Sequence, residues 1–236
     1  METPDKNELT LWRRINLIFR FSYTLPFVLA SVCGIVAAVP YGAPWYILVL
    51  IPVTVLFMAL FVNFSNDYFD YKSGIDAKVF HDRFEVKRKL LESEALKKLY
   101  WSGNQFDTGL VTEKQGKAIM AALVVIIVIL AIPILFYGGW AVLIVGVIGL
   151  FLAWAYTAPP VNLGARGLGE VDVMVSFFMM CFFSFYIAAD TMTVDVALFS
   201  IMVGLVVGLM RLIDSMPANA AHREAGEINL SICLGD

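Results

Sequence analysis

Six apolar runs, each long enough to cross a lipid bilayer, constrain the fold more than any other feature of this sequence. A hydrocarbon core of about 30 Å needs about 20 apolar residues at the rise of an α-helix. The runs are rich in Val, Ile, Leu, Phe and Met, and they contain no Lys or Arg until their last residues. They occupy approximately residues 21–39, 45–64, 118–137, 140–157, 173–189 and 196–213.

These runs predict helices, because a backbone in lipid must satisfy its hydrogen bonds internally and barrel strands would give shorter, alternating segments. Only 16% of the residues are charged, against roughly 25% in soluble proteins. We therefore predict an all-α, polytopic transmembrane helix bundle. The first run, with basic residues before it, also resembles a signal peptide, but five further spans need the same membrane anyway.

The distribution of charge predicts the orientation of the bundle. If the spans alternate in direction, all 17 Lys and Arg residues fall on one side, and the opposite loops at 40–44, 138–139 and 190–195 contain none. The positive-inside tendency makes the charged side, with the N-terminus, cytoplasmic. We expect a multi-pass protein of the cell membrane with no nucleic-acid partner. The three cysteines show no paired spacing and predict neither disulfides nor a zinc site.

The stretch NFSNDYFDYKSGID, directly after the second run, holds the densest set of oxygen ligands in the chain. Asp67 and Asp70 share a helix face if the second span continues beyond the membrane surface, and Asn63 lies on the same face. Two such carboxylates repel each other unless a cation lies between them, and hard oxygen ligands select Mg²⁺ or Ca²⁺. Lys72 follows as a point-charge partner for a phosphate.

A solvated acidic helix end is the alternative interpretation of this stretch. Asn63, Asn66 and Asp67 lie where exposure to lipid is costly, which favours a pocket between helices. Residues 78–101 then predict an amphipathic helix on the cytoplasmic surface, either held there by anionic lipid or acting as a lid over the metal site. Thr112 and Glu113 can cap the third span.

The loop AWAYTAPPVNLGARGLGEVDV, at 153–173, is the second polar segment of interest. Pro159 and Pro160 end the fourth span because they lack N–H donors and force an extended chain. Tyr156 and Arg166 are donors for anionic oxygens, and glycines allow backbone to approach a ligand closely. An ordinary tight cytoplasmic turn is the alternative.

Taken together, the motif NDxxDxxxGxD after the second span and the motif YTxPPxxLxxRGLGE after the fourth resemble the UbiA superfamily of intramembrane prenyltransferases. The likeness is greatest to the 1,4-dihydroxy-2-naphthoate prenyltransferase branch of menaquinone biosynthesis, and RFSYTLP at 20–26 resembles that family's entry into its first helix. The resemblance implies nine transmembrane helices around a central cavity. It also implies that Mg²⁺ and a polyprenyl diphosphate bind on the cytoplasmic side.

The resemblance assigns a role to each candidate site residue. For the metal it implies Asn66, Asp67, Asp70 and Asp76, and for the diphosphate Arg20, Lys72, Tyr156 and Arg166. Asp67, Asp70 and Lys72 become the catalytic candidates, and Glu170 or Asp172 would orient a small aromatic acceptor.

The second acidic motif of the family is altered in this chain. The segment DSMPANAAHREAGEINLSICLG, at 214–235, has Ala218 and His222 in place of two aspartates and Glu227 in place of a lysine. Alanine cannot ligate a metal, and histidine is a poor ligand for Mg²⁺. Asp214 is the predicted replacement metal ligand, with Glu224 as a second possibility. A shifted metal site, weakened diphosphate binding and lost catalysis all remain open.

We expect residues 1–236 to form a single prenyltransferase domain that is truncated at its C-terminus, with six of the nine expected spans. The predicted function is Mg²⁺-dependent transfer of a polyprenyl group from its diphosphate to an aromatic quinone precursor. One alternative is a geranylgeranylglyceryl phosphate prenyltransferase of ether-lipid synthesis. Another is a non-catalytic isoprenoid-binding homologue. Composition alone also allows a transporter, but no pair of broken helices supports one.

Overall fold

The computed structural model describes residues 10–73, 104–106, 109–216, 219–224, 226 and 228–235. These residues are almost entirely helical, with short 3₁₀ turns at Val39–Tyr41 and Leu163–Ala165. The helices are α1 (Leu11–Phe19), α2 (Phe21–Ala38), α3 (Trp45–Ser73), α4 (Glu113–Gly138), α5 (Trp140–Thr157), α6 (Gly169–Ala189), α7 (Val194–Ser215), α8 (Asn219–Glu224) and α9 (Leu230–Leu234).

The six long helices α2 to α7 are long and apolar enough to span a membrane, so the predicted polytopic all-α bundle is confirmed. Several helices extend beyond the apolar runs at the end that carries the charges. The helix α3 continues to Ser73, and α4 and α6 begin at Glu113 and Gly169. The continuation of α3 places Asn63, Asp67 and Asp70 on successive turns of one helix, as predicted.

Local sequence explains where the spans begin and end. The Thr112 hydroxyl accepts from the Gln115 N–H, and the Gln115 side chain accepts from the Thr112 N–H, which forms a complete capping box for α4. Gly139 separates α4 from α5 with a φ of 60°, a conformation that favours glycine. The helix α5 ends at Thr157, and Ala158 separates it from the two prolines.

The helix α6 lies at the centre of the bundle, packed against both α2 and α7. Glycines allow close approach on both sides: a Cβ at Gly34 would overlap the Cys181 carbonyl oxygen, and a Cβ at Gly204 would overlap that of Met174. The Ser31 and Ser184 hydroxyls hydrogen-bond at 2.8 Å between α2 and α6. Small residues and an interhelical hydrogen bond therefore fix the position of α6.

The outer surface of the bundle is apolar, as lipid contact requires. The helices α4, α5 and α7 expose many large hydrophobic side chains, and Phe136 and Trp140 are 87% and 78% exposed at the α4–α5 turn. Such a surface is far more apolar than that of a soluble monomer. The predicted amphipathic helix within 78–101 lies outside the described residues.

Candidate functional site

A cavity of about 900 Å³ lies among the six long helices. Its interior is lined by apolar side chains, among them Phe27 on α2, Val55 and Met58 on α3, Leu143 on α5 and Met180 on α6. Such a cavity can hold an elongated apolar ligand.

Polar side chains line the same cavity where the helices have their charged ends. They come from the start of α2 and α6, the end of α3, α5 and α7, the loop between α5 and α6, and the short helix α8, so alternating helix directions bring them to one side. They are Arg20, Asn63, Asn66, Asp67, Asp70, Tyr156, Asn162, Asp172, Arg211, Asp214 and His222. We call this set the polar mouth.

One ion pair of the polar mouth joins Arg20 to Asp67. The Arg20 Nη1 donates to the Asp67 Oδ1 at 2.6 Å, and the Asp67 side chain is only 4% exposed. Arg20 lies in the left-handed region, with a φ of 49°, at the break between α1 and α2. Its guanidinium carbon lies 5.2 Å from the centroid of the Tyr23 ring. This break in the helix lets the arginine reach a nearly buried carboxylate.

The end of α3 is held in place by two asparagines. The Thr157 hydroxyl donates to the Asn66 Oδ1 at 2.8 Å, which ties α3 to the end of α5. The Asn104 Nδ2 donates to the Asp67 carbonyl oxygen at 2.6 Å. The ring of Phe106, close in sequence, packs against Phe64 and other aromatic rings of α3. The predicted ligands Asn66 and Asp67 therefore belong to a packed and hydrogen-bonded part of the helix.

A second basic group faces the mouth from α7. The Arg211 Nε donates to the Tyr156 hydroxyl at 3.0 Å, and its Nη1 lies 3.7 Å from the Asp214 Oδ2. The Tyr156 ring packs against Gly164 and Gly169. A Cβ at Gly164 would crowd the Tyr156 carbonyl oxygen, and a Cβ at Gly169 would overlap the Gly164 backbone. A tyrosine, an arginine and an aspartate from α5 and α7 thus form a connected polar group in the cavity wall.

The glycine-rich loop between α5 and α6 pairs with the segment before α9. The Gly167 N–H donates to the Ile228 carbonyl at 2.6 Å, and the Ile228 N–H donates to the Ala165 carbonyl at 2.8 Å. The Leu230 N–H, in the first turn of α9, donates to the Glu170 Oε2 at 3.2 Å. This pairing, which the sequence analysis did not predict, holds the altered second motif against the loop.

The predicted site residues therefore separate into three groups. Arg166 and Glu170 are not among the cavity-lining side chains in the described part of the chain, and neither is Lys72, whose Nζ donates to the Glu113 Oε1 at 2.7 Å. Asp76 and Ala218 lie outside the described residues. Those that the structure brings together around the cavity are Arg20, Asn66, Asp67, Asp70, Tyr156 and Asp214.

Two further charged residues line the cavity. Arg211 is not among the predicted site residues, although a cation within a span is a signal for a site. The resemblance implies that Glu170 or Asp172 orients the acceptor, and among the described residues only Asp172 of these two lines the cavity. Its Oδ1 and the Asn63 Nδ2 are buried and have no hydrogen-bond partner among the described residues.

The polar mouth fits Mg²⁺ through its ligand chemistry rather than through a preformed cage. Its carboxylate and amide oxygens are hard ligands, but no three His, Cys, Asp or Glu side chains of the described residues converge on one point. Mg²⁺ is commonly held by one or two carboxylates together with substrate phosphates. Asp67, Asp70 and Asp214 suit that mode, in which a bound diphosphate supplies the remaining oxygens.

Comparison with known families gives one result. Residues 25–236, which include most of α2 and all of α3 to α9, match the UbiA prenyltransferase family. No curated protein sequence and no solved structure gives a significant match. The matched residues include the altered second motif and most of the residues that line the cavity, but not Arg20.

Proposed function

The chain belongs to the UbiA prenyltransferase family, and from this premise we propose that it transfers a polyprenyl group from polyprenyl diphosphate to an aromatic quinone precursor. The proposed acceptor class is that of 1,4-dihydroxy-2-naphthoate, which would make the product a precursor of menaquinone. We propose further that residues 1–236 act as one prenyltransferase domain, and that the polar mouth faces the cytoplasm, where the positive-inside tendency puts the charged segments.

The observation that carries the proposal is that one cavity has both an apolar interior and a polar mouth. The interior is lined by apolar side chains of the spans, and the mouth by two arginines, a tyrosine and several carboxylates and amides. A prenyl diphosphate has the same division, with a hydrocarbon chain at one end and a charged group at the other. Its chain would lie among residues such as Val55 and Met180 and its diphosphate beside Arg20 and Arg211.

The proposed reaction breaks the bond between the first prenyl carbon and the diphosphate oxygen, and the electron pair leaves with the diphosphate. The electron-rich ring of the acceptor then bonds to the allylic cation and loses a proton. Arg20, Arg211 and the Tyr156 hydroxyl are donors for the departing charge, and the apolar walls keep water from the cation. Mg²⁺, held by Asp67, Asp70 and Asp214 with the diphosphate, would neutralise further negative charge on the leaving group.

The aromatic branch is supported by sequence rather than by a cavity contact. The RGLGE loop at 166–170 is the feature that favours it, and this loop pairs with the segment before α9 through Gly167 and Glu170. A glycerol phosphate acceptor would need extra basic groups for its phosphate. Among the described residues, two arginines and one histidine line the cavity, namely Arg20, Arg211 and His222.

The test is a transfer assay with the full chain in detergent or proteoliposomes. It combines radiolabelled geranylgeranyl diphosphate and Mg²⁺ with 1,4-dihydroxy-2-naphthoate, and glycerol 1-phosphate replaces the acceptor in a second series. We expect prenylated naphthoate from the wild type, a large loss for Asp67→Asn, and wild-type rates for Asp195→Asn, a matched change in an exposed first-turn residue of α7. Product only with glycerol 1-phosphate would contradict the aromatic assignment.

A non-catalytic isoprenoid-binding role is the second candidate, because one observation favours it. Ala218 and His222 stand where the family's second motif carries aspartates, and His222 lines the cavity. This role predicts saturable binding of geranylgeranyl diphosphate with no product from either acceptor. The prenyltransferase proposal predicts both binding and product, so the same preparation distinguishes the two.

A further inference from the structure

Asp172 is a buried carboxyl group that the fold itself leaves unused. It lies in the first turn of α6, is 7% exposed, and lines the cavity. Its Oδ1 has no hydrogen-bond partner, and its carboxylate forms no ion pair, within the part of the chain that the structure describes. An ionisable side chain inside a membrane span is expensive, and such residues mark functional positions.

The neighbouring acid on the same helix shows what a structural role would look like. Glu170 is 2% exposed, and its Oε2 accepts from the Leu230 N–H at 3.2 Å, which ties α6 to α9. Its carboxylate therefore has a use within the protein. Asp172, two residues later, instead borders the cavity, as does Ser176 one turn further along α6. Of the two acids, Asp172 is the one available to a ligand.

We propose that Asp172 is the hydrogen-bond acceptor through which the cavity recognises a hydroxyl group on the ring of the acceptor substrate. This inference rests on the proposed function and names the acceptor-facing residue of that site. In its ionised form the Asp172 side chain can only accept hydrogen bonds, so it favours a ligand group that donates one. It also disfavours a phosphate placed beside it, which agrees with an aromatic acceptor rather than a glycerol phosphate.

The direct test compares two ring ligands, one with a free hydroxyl and one in which a methyl group replaces the hydroxyl hydrogen. Binding of 1-naphthol and of 1-methoxynaphthalene to the full chain in detergent is measured by calorimetry. A hydrogen bond to a charged group predicts that the wild type prefers the naphthol on the order of ten-fold. Asp172→Leu, which has no acceptor, should abolish this preference. Asp172→Asn should keep part of it, because the amide oxygen still accepts.

Thermal unfolding of the ligand-free variants separates recognition from a structural role. Removal of an unpaired buried carboxyl should leave the unfolding temperature unchanged or raise it. Lower unfolding temperatures for both Asp172 variants would assign the side chain a structural role and overturn the proposal. An unchanged naphthol preference in Asp172→Leu, or no preference in the wild type, would also overturn it.

A control and a parallel assay complete the design. Asp195→Leu and Asp195→Asn make the same changes at an exposed aspartate near the opposite end of the bundle, and both should keep the wild-type preference. The transfer assay is run on the same wild-type preparation. Absence of product together with a preference that depends on Asp172 would refute the proposed function while the recognition of a hydroxyl stands.

Discussion

Arg20 and Asp67 connect the first spanning helix to the acidic end of the second at the mouth of the cavity. Their Nη1 and Oδ1 atoms lie 2.6 Å apart, and the Asp67 side chain is 4% exposed while that of Arg20 is 27% exposed. A pair with one nearly buried partner is strongly coupled, because loss of either member leaves the other charge in poor solvent. The pair therefore sets both the stability and the charge of the mouth.

The first prediction concerns this coupling. Asp67→Asn and Arg20→Gln should each lower stability, while the double variant should lose less than the sum of the two. We expect a coupling free energy of about 1–3 kcal/mol, as for charged neighbours in one network. Thermal or denaturant unfolding of the four proteins in one detergent measures it. Additive losses would show that the two side chains act independently.

The transfer activity of the same four proteins shows whether the pair also acts in catalysis. If Asp67 and Arg20 both act on the diphosphate, the double variant will not recover transfer even where it recovers stability. We expect each single change to lower the transfer rate by about 100-fold, the scale seen when one charge-stabilising group is removed. Recovered transfer in the double variant would assign the pair a purely structural role.

The Arg211 guanidinium leads to the second prediction. Because it lines the cavity beside Tyr156 and Asp214, Arg211→Gln should raise the KM for the prenyl diphosphate by about ten-fold, the cost of one charge-assisted hydrogen bond. Tyr156→Phe, which removes only the neutral partner of that hydrogen bond, should have a smaller effect. Initial rates at varied donor concentration and fixed acceptor concentration measure both.

Lys114→Gln supplies the matched control for Arg211→Gln. Lys114 is an exposed cation in the first turn of α4 at the same side of the membrane, and it is not among the cavity-lining residues that the structure describes. Its removal changes the local surface charge without changing the mouth, so the KM should stay at the wild-type value. Equal increases for the two variants would attribute the effect to long-range charge alone.

The spans could be predicted from the sequence alone, for a simple physical reason. An apolar run of about 20 residues has one stable arrangement in lipid, and alternating directions then bring every second helix end to the same side. The same alternation puts Asn66, Tyr156 and Asp214 at one side of the bundle, and all three line the cavity. It needs no knowledge of which helix packs against which.

The positions of Arg166 and Glu170 could not be predicted in this way. Both lie in a motif whose resemblance implied ligand contacts, but their loop pairs with residues 228–230, about 60 positions later. Such pairing depends on the path of the chain after α7, and local sequence patterns do not predict that path. The break in the helix at Arg20 could not be predicted either, because no glycine or proline stands beside it in the sequence.

The third prediction tests the packing of α6 with a pair of glycine substitutions. A Cβ at Gly204 of α7 would overlap the Met174 carbonyl oxygen of α6, so Gly204→Ala should destabilise the protein by about 1–3 kcal/mol. Gly146 on α5 has no atom within 4 Å of the same position. Gly146→Ala should therefore be neutral or stabilise by up to about 1 kcal/mol. Unfolding in detergent compares them, and equal losses would contradict the close contact.

The fourth prediction fixes the orientation of the bundle and uses the cysteines of the chain. Cys233 in α9 is exposed at the charged side, and Met192 is 62% exposed in the loop between α6 and α7 at the opposite side. In a background with Cys33→Ser and Cys181→Ala, a membrane-impermeant maleimide should label Cys233 only after the cells are opened. Met192→Cys, in the same background with Cys233→Ala, should be labelled in intact cells, because the basic segments hold the other side in the cytoplasm. The reverse pattern of labelling would place the polar mouth outside the cell, away from any cytoplasmic supply of prenyl diphosphate.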